Sequence, residues 1–234
     1  MFITNEPALV INDSLIISDL HLGITRELRF SGVHIPSQVT PLAKKINSLK
    51  KKTNTKRLVI LGDVRHNIPT VSWQEFNEIP EFFRKIDFKE IVVTKGNHDG
   101  NIESLVDDFF DKNIKIKKST TIGDYYLTHG HRIPTTKKKK IIIGHNHPKI
   151  MFRDDLGSVY FERVWVISSG KRETIIMPSF NELSGSMVIN DSSLSDRVHK
   201  TFMGPIAKNI KNPRIFLLDG TDLGHLNDLK IKKR

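Results

Sequence analysis

Glu90-Ile91-Val92-Val93-Thr94-Lys95-Gly96-Asn97-His98-Asp99 is the stretch on which the fold turns. A short run dominated by β-branched residues reads as a buried strand, and Gly96 marks its end, where three polar side chains follow at once. The same order recurs four more times. Residues 14–18 run into Asp19-Leu20-His21, 57–61 into Gly62-Asp63, 124–128 into His129-Gly130-His131, and 140–143 into Gly144-His145-Asn146-His147. In an α/β sheet the loops at the carboxyl ends of the strands line the ligand crevice, so five segments deliver Asp, Asn and His side chains to one place. Seven of the ten histidines lie in or directly after these loops. Core histidines would be scattered, and surface histidines would not track strand ends.

Between the strands lie helical patterns. Leu42, Ile46 and Leu49 recur at helical spacing over residues 41–52, Phe76, Ile79 and Phe83 do so around Pro80, and Ile102, Leu105, Val106 and Phe109 suggest a short third helix. Strands alternating with helices through the first 145 residues indicate an α/β layered fold. Beyond residue 150 the helices thin out, and runs at 159–168 and 174–178 read as a second sheet completing the same core. Nothing marks a domain boundary, so residues 1–234 are expected to form a single domain.

Composition narrows the chemistry. With no cysteine, disulfides and thiolate metal sites are excluded, and any metal must be held by His, Asp, Glu or Asn. No apolar run approaches the roughly 20 residues of a membrane span, and no signal-like segment opens the chain, so a soluble cytoplasmic protein is expected. The balance of 37 Lys and Arg against 26 Asp and Glu gives a net charge of +11, which favours an anionic partner such as DNA or RNA. Its placement tempers that reading. The lysines at 50–52 and 137–140 precede strands whose other ends carry the polar loops, so both clusters belong to the remote end of the sheet. Charge at that end attracts nucleic acid loosely and without sequence preference.

Residues two apart at a strand end are expected to point the same way, so Asp19 with His21, and His145 with His147, each offer a pair of ligands. Carboxylate, imidazole and carboxamide without thiolate suit manganese, iron or zinc. Asp19, His21, Asp63, Asn97, His129, His145 and His147 are too many for one ion. Two ions about 3.5 to 4 Å apart hold a hydroxide between them and clamp the attacking and leaving oxygens of an in-line displacement at phosphorus. No Ser, Thr or Cys nucleophile is then required.

In order, D-x-H, G-D, G-N-H-D, H-G-H and G-H-x-H resemble the calcineurin-like metallophosphoesterases. The nearer resemblance is to archaeal phosphoesterases related to the SbcD nuclease subunit and to DNA ligase-associated metallophosphoesterases. It rests on Asp19 to Gly23, Ile35-Pro36 within residues 32–38, Gly62-Asp63 with His66, Gly96 to Gly100, His129 to His131, Gly144 to Pro148, Pro178-Ser179-Phe180-Asn181 and Leu218-Asp219-Gly220-Thr221, nearly the whole chain. The set is specific, although each element alone is weak. It implies a four-layer α/β/β/α sandwich of two mixed sheets flanked by helices. It also implies a split of the ligands: Asp19, His21, Asp63 and His147 on one ion, Asp63, Asn97, His129 and His145 on the other, with Asp63 bridging. His98 resembles the family's catalytic histidine, with Asp99 expected to orient its ring.

The resemblance points to Mn2+ as the ion, with iron, nickel and zinc also compatible. His66 and His131 are candidates for contacting the substrate phosphate or for supporting the ligands through hydrogen bonds, Arg65 and Arg132 for neutralising phosphate charge, and Asn181 for reaching the cleft from its loop. His34, His199 and His225 follow no strand end and read as ordinary surface or packing residues. Three functions compete: a phosphodiesterase acting on nucleic acid or nucleotide-like diesters, a phosphomonoesterase or nucleotide hydrolase, and a non-catalytic scaffold. A scaffold typically loses ligands or the catalytic histidine, and all eight residues are present here. An open groove with few basic groups beside the metals would favour the diester.

Overall fold

The computed structural model describes residues 1–107, 109, 111–191 and 204–231. One sheet takes β1 (Leu9–Ile11), β2 (Ser14–Ile17), β3 (Arg57–Ile60), β4 (Glu90–Thr94) and β5 (Asn113–Lys117) in that order, with β2 to β5 parallel and β1 antiparallel at the edge. The other is ordered β12 (Met187–Val188), β9 (Pro148–Arg153), β10 (Val159–Ser168), β11 (Glu173–Ile176), β8 (Lys140–Ile143), β7 (Tyr125–Thr128) and β6 (Thr120–Ile122). β13 (Arg214–Leu217) joins β10 and pairs with β14 (Asp222–His225). In this sheet β7, β8 and β11 are parallel, while β6 and β10 run against their neighbours.

The period-two alternation of the strands builds the layers. Leu15, Ile17, Leu58, Ile60, Ile91 and Val93 face outward onto the helices, while Ile16, Val59, Leu61 and Val92 face the second sheet. From that sheet Leu127, Ile142, Trp165, Ile175 and Met177 meet them, and Ile141, Ile143, Val164, Val166 and Ile176 point to its outer side. Two helices cover the first sheet. α2 (Val39–Thr53, after α1 at Ile24–Phe30) buries Leu42, Ala43, Ile46 and Leu49, and α3 (Trp73–Lys85) buries Ile79, Phe82 and Phe83. The second sheet's outer side is covered more thinly. Among the described residues it carries the one-turn 3-10 segments Ala207–Asn209 and Leu226–Leu229 rather than a full helix. No helix among the described residues is long and apolar enough to cross a membrane.

Two local expectations are corrected. Among the described residues the third helix is only the 3-10 turn Glu103–Leu105; Ile102, Leu105 and Val106 are nonetheless buried. Phe76 is exposed, and Phe82 fills the apolar stripe instead. The short link between the strands ending at His129 and His145 joins direct neighbours: β7 and β8 pair in parallel, and residues 129–139 return without strand or helix. Lys140 accordingly sits at the entry of β8 beside Tyr125, and Lys50, Lys51 and Lys52 close α2 before β3 begins. Both basic clusters lie at the strands' amino ends, as expected.

Candidate metal centre

β2, β3 and β4 in one sheet and β7 and β8 in the other all end on the same rim, so the five loops meet at the seam between the sheets. Backbone bonds lock them together. His21 N donates to the Asp63 carbonyl (2.8 Å), Asp19 N to the Gly62 carbonyl (3.2 Å) and Gly144 N to the His129 carbonyl (3.1 Å). His145 N crosses from the second sheet to the Asp19 carboxylate at 3.1 Å, and His98 N donates to Asp63 Oδ1 at 3.0 Å.

Among the described residues ligand-type atoms gather into three groups: Asp19 with His21 and His147, Asp63 with His129 and His145 adjoining it, and, on the far side of the first, His21 with His66 and His98. In the first, His147 Nε2 lies 3.3 Å from Asp19 Oδ1 and 3.4 Å from His21 Nε2. In the second, His129 Nε2 lies 3.3 Å from Asp63 Oδ2, 3.0 Å from His145 Nδ1 and 3.1 Å from Asn97 Oδ1. Asp63 Oδ2 also faces His21 Nε2 at 3.8 Å, which places it between these two groups. The rings are pre-set: His129 Nδ1–H donates to the Leu61 carbonyl (2.9 Å) and His147 Nδ1–H to that of Gly185 (2.6 Å), leaving both Nε2 atoms turned inward. So many acceptor atoms facing one another, on the buried Asp19, His21, Asp63 and His129, the half-buried His145 and His147 and the exposed Asn97, fit divalent cations.

The backbone supports the same reading. Ten described non-glycine residues have positive φ: five are Asn, and the other five are Asp19, His21, Asp63, His145 and His147. Such conformations cost about 1–3 kcal/mol each and persist where surroundings over-determine them. They also correct the expected reason for the D-x-H and H-x-H spacing. These side chains converge through left-handed kinks beyond the strand ends, not through the pleat. The glycines leave room for them, since a side chain at Gly96 would run into the Asp63 carboxylate and one at Gly144 into that of Asp19.

Electrostatics divides the imidazoles into two kinds. Burial would lower His129, but Asp63 and then Asp19 outweigh it and push it up to about 9; His147 is raised by Asp19 in the same way. Burial lowers His21 to about 3, helped by His147, and lowers His145 to about 4, helped by His129. Burial opposes ionisation of Asp19 and Asp63, yet His147 and His129 respectively hold them below the usual carboxylate range. Below about pH 9 the metal-free centre therefore carries a proton on His129 that a cation must displace. Divalent-ion affinity should rise about tenfold per pH unit for each displaced proton, then level off. Chelator competition between pH 7 and 10 measures this, and a flat profile would exclude it.

His98 points Nε2 toward Asp63 Oδ2 at 4.0 Å, while its Nδ1–H donates to the His66 carbonyl in a short hydrogen bond. Asp99 does not hold this ring, contrary to expectation. Its fully buried carboxylate accepts from Arg65 N (3.1 Å) and Gly96 N (2.8 Å), so it ties the two loops behind the ring together. Burial, reinforced by Asp63, raises its pKa to about 6. Arg65 is corrected as well. Its guanidinium is buried, donates to the Asn67 and Thr70 carbonyls and faces Glu75 at 3.6 Å, out of a substrate's reach.

Glu75 went unnoticed in the sequence, although Ser72-Trp73-Gln74-Glu75 carries the capping-box signature. Its carboxylate accepts from His66 N (3.0 Å), Asn67 N (2.8 Å) and Ser72 N (2.7 Å), shaping the loop that holds His98. Glu75→Ala should destabilise the protein by about 3–5 kcal/mol, because Arg65 is left buried without its partner. An unchanged urea midpoint would contradict this. Glu27 of α1 was missed too, and nothing local signals it. His66 Nδ1 lies 3.3 Å from His21 Nδ1, and its Nε2 lies 2.6 Å from Glu27 Oε2, so His66 links a ligand-type ring to a carboxylate.

The His131 ring lies beside that of His129, centroids 5.2 Å apart and planes tilted by 56°, with a buried Nδ1 that has no hydrogen-bond partner among the described residues. Arg132 is exposed. Asn181 is buried and bonded to the Leu20 carbonyl (2.7 Å) and Leu183 N (3.0 Å), anchoring its loop instead of reaching the cleft. His34 and His225 are exposed, as expected; His199 lies outside the described residues.

Residues 14–221 match the family model described as calcineurin-like phosphoesterase. Among curated proteins no relative matches. The fold is similar to that of Pseudomonas putida nuclease MPE, with a TM-score of 0.57 and 17% identity over 90% of this chain and 88% of that one. Escherichia coli phosphoesterase YfcE (14% identity, 91% and 97% covered, TM-score 0.42) and an archaeal phosphodiesterase (18%, 73% and 86%, 0.36) resemble it more distantly. At these identities the first likeness speaks for the fold alone, and the other two add no weight. It is the family match, spanning most of the chain and all five strand-end loops, that decides the matter: this protein belongs to the calcineurin-like phosphoesterases and is a hydrolase of phosphoester bonds.

Proposed function

We propose that the chain is a dinuclear-metal phosphodiesterase acting on nucleic acid or nucleotide-like diesters, built as one domain around the core shared by its two sheets. The observation that carries this is the paired arrangement of Asp19, His21 and His147 beside Asp63, His129 and His145, with Asp63 Oδ2 between them. Asn97 completes the second group. When bound, two divalent cations, manganese first among those that suit these donors, supply Lewis acidity at the phosphoryl oxygens and activate water. His98, its Nδ1–H committed to the His66 carbonyl, turns Nε2 toward the cleft and donates a proton to the departing oxygen. His66 and His131 border the same space and are the candidates for steadying the substrate phosphate.

Among the described residues two cations on the ligand loops, Arg65 and Lys95, are already engaged and are not offered to a dianionic monoester. Arg65 is spent on its own loop, and Lys95 is paired with Glu103 at 2.7 Å. This supports the diester, and the nuclease of similar fold supplies the polynucleotide class for the proposal. The protein should be stripped with chelator, reloaded with manganese and assayed on bis-p-nitrophenyl phosphate and p-nitrophenyl phosphate in one preparation. Diester preference supports the reading; monoester preference replaces it with a nucleotide or phosphometabolite hydrolase.

A further inference from the structure

Beyond the sandwich, the second sheet carries an arm that no part of the chemistry above uses. β10 has ten residues, whereas β8 and β11 have four each, and only its last three pair with β11. Because β10 runs against β11, its first half leaves the sheet at the rim where β8 and β11 end, the rim of the metal centre. There Val159–Arg163 pairs with Arg153–Lys149 of β9, which itself starts directly after His147. The arm therefore grows out of a ligand loop and reaches about 16 Å past it, at about 3.3 Å per residue.

Alternation along β10 assigns its faces. Trp165 lies in the core between the sheets and Val164 and Val166 on the outer side, so Arg163, Phe161 and Val159 share the inner side with Trp165. Their cross-strand partners are Lys149, Met151 and Arg153. The outer side takes Ile150, which packs in the outer core, together with Phe152, Tyr160 and Glu162. Charge is thus sorted: the arm's three cations lie on the face that overhangs the cleft, and Glu162 lies on the other. Lys149 sits opposite Arg163, and Glu182, 2.8 Å from the Arg163 guanidinium, offsets part of this like-charge pair. Arg163 is fixed by the Ser179 carbonyl (3.1 Å) and Glu182 (2.8 Å), which anchors this face to the loop beside Asp19. Farther out, Arg153 is exposed and Phe161 is 52% exposed.

We propose that the inner face of this arm holds the nucleic-acid strand leading away from the scissile diester, with Lys149 and Arg153 on its phosphates and Phe161 stacked on a base. Cations alternating with an exposed aromatic ring along a track from the catalytic centre are how single strands are held without regard to sequence. The inference rests on the phosphodiesterase reading and extends it to the polymer.

The test compares wild type with the double variant Arg153→Ala, Phe161→Ala, both manganese-loaded, on a single-stranded oligodeoxynucleotide and on bis-p-nitrophenyl phosphate. Oligonucleotide kcat/KM should fall about ten- to hundredfold through KM, the worth of one stacked base with its phosphate contact. The small diester should be hydrolysed unchanged, and the slope of log affinity against log salt should shrink by about one. The outer-face variant Tyr160→Ala should leave both substrates unaffected. Equal oligonucleotide cleavage by wild type and double variant overturns the proposal, as does a parallel loss on both substrates. So does a wild type that cleaves the small diester but no oligonucleotide, or a double variant altered only in self-association. In each of these cases the phosphodiesterase reading survives, whereas a wild-type preference for the monoester removes both.

Discussion

Asp63→Asn should leave the protein folded and empty of both metal ions. The substitution keeps an oxygen to accept the His98 N–H, at 3.0 Å in the wild type, so the loop after β4 retains its anchor. What it removes is the negative charge at Oδ2, the atom 3.3 Å from His129 Nε2 and 3.8 Å from His21 Nε2. If that atom bridges the centre, neither group of ligands is complete without it. Affinity at both positions should then fall by more than the about 10- to 100-fold that loss of a merely supporting residue costs. His145→Ala supplies the contrast, since His145 belongs to one group only and its loss should empty one position. Metal analysis after gel filtration, beside circular dichroism to verify folding, reads both outcomes. Full occupancy in Asp63→Asn would remove the bridge from the proposal, and equal losses in the two variants would remove the partition.

His98→Ala should behave in the opposite way, keeping its metal and losing turnover. The ring of His98 is not one of the proposed ligands, and its backbone N–H to Asp63 survives the truncation. General acid catalysis contributes about 10²- to 10⁴-fold, and its share depends on the leaving group. An acidic nitrophenol departs with little help, whereas a sugar hydroxyl needs the proton. The fall in kcat should therefore approach the upper figure on a nucleic-acid diester and be smaller on bis-p-nitrophenyl phosphate. A purely structural part for His98 would lower both alike, and undiminished activity on either would exclude the acid.

The corrections share a cause. Arg65 and Asp99 occur beside ligand positions in the sequence, and proximity suggested phosphate binding for one and ring orientation for the other. In the folded chain both side chains turn away from the cleft, Arg65 to the carbonyls of its own loop and Asp99 to two backbone N–H groups. A tight loop must satisfy its buried polar groups, and that demand took both residues. Glu75 and Glu27 erred in the other direction. They lie on helices away from every strand end, yet one sets the His66 loop and the other meets the His66 ring.

The sequence by itself determined which residues would meet. Five apolar runs, each closed by Gly, Asp or His, specify parallel strands whose carboxyl ends share a rim, because burial dictates the strands and turn chemistry dictates where they stop. It also determined that the lysine clusters sit at the far end, since a strand has only two. Direction of the side chains was beyond it. Asp19, His21, Asp63, His145 and His147 converge through left-handed backbone that no local preference favours, and that tertiary contacts alone maintain. Only the tertiary structure, likewise, decided that β9 and β10 outrun their neighbours and turn a basic, aromatic face over the cleft. Such a feature depends on which strands lie side by side, and side-by-side pairing is a long-range property that local sequence does not carry.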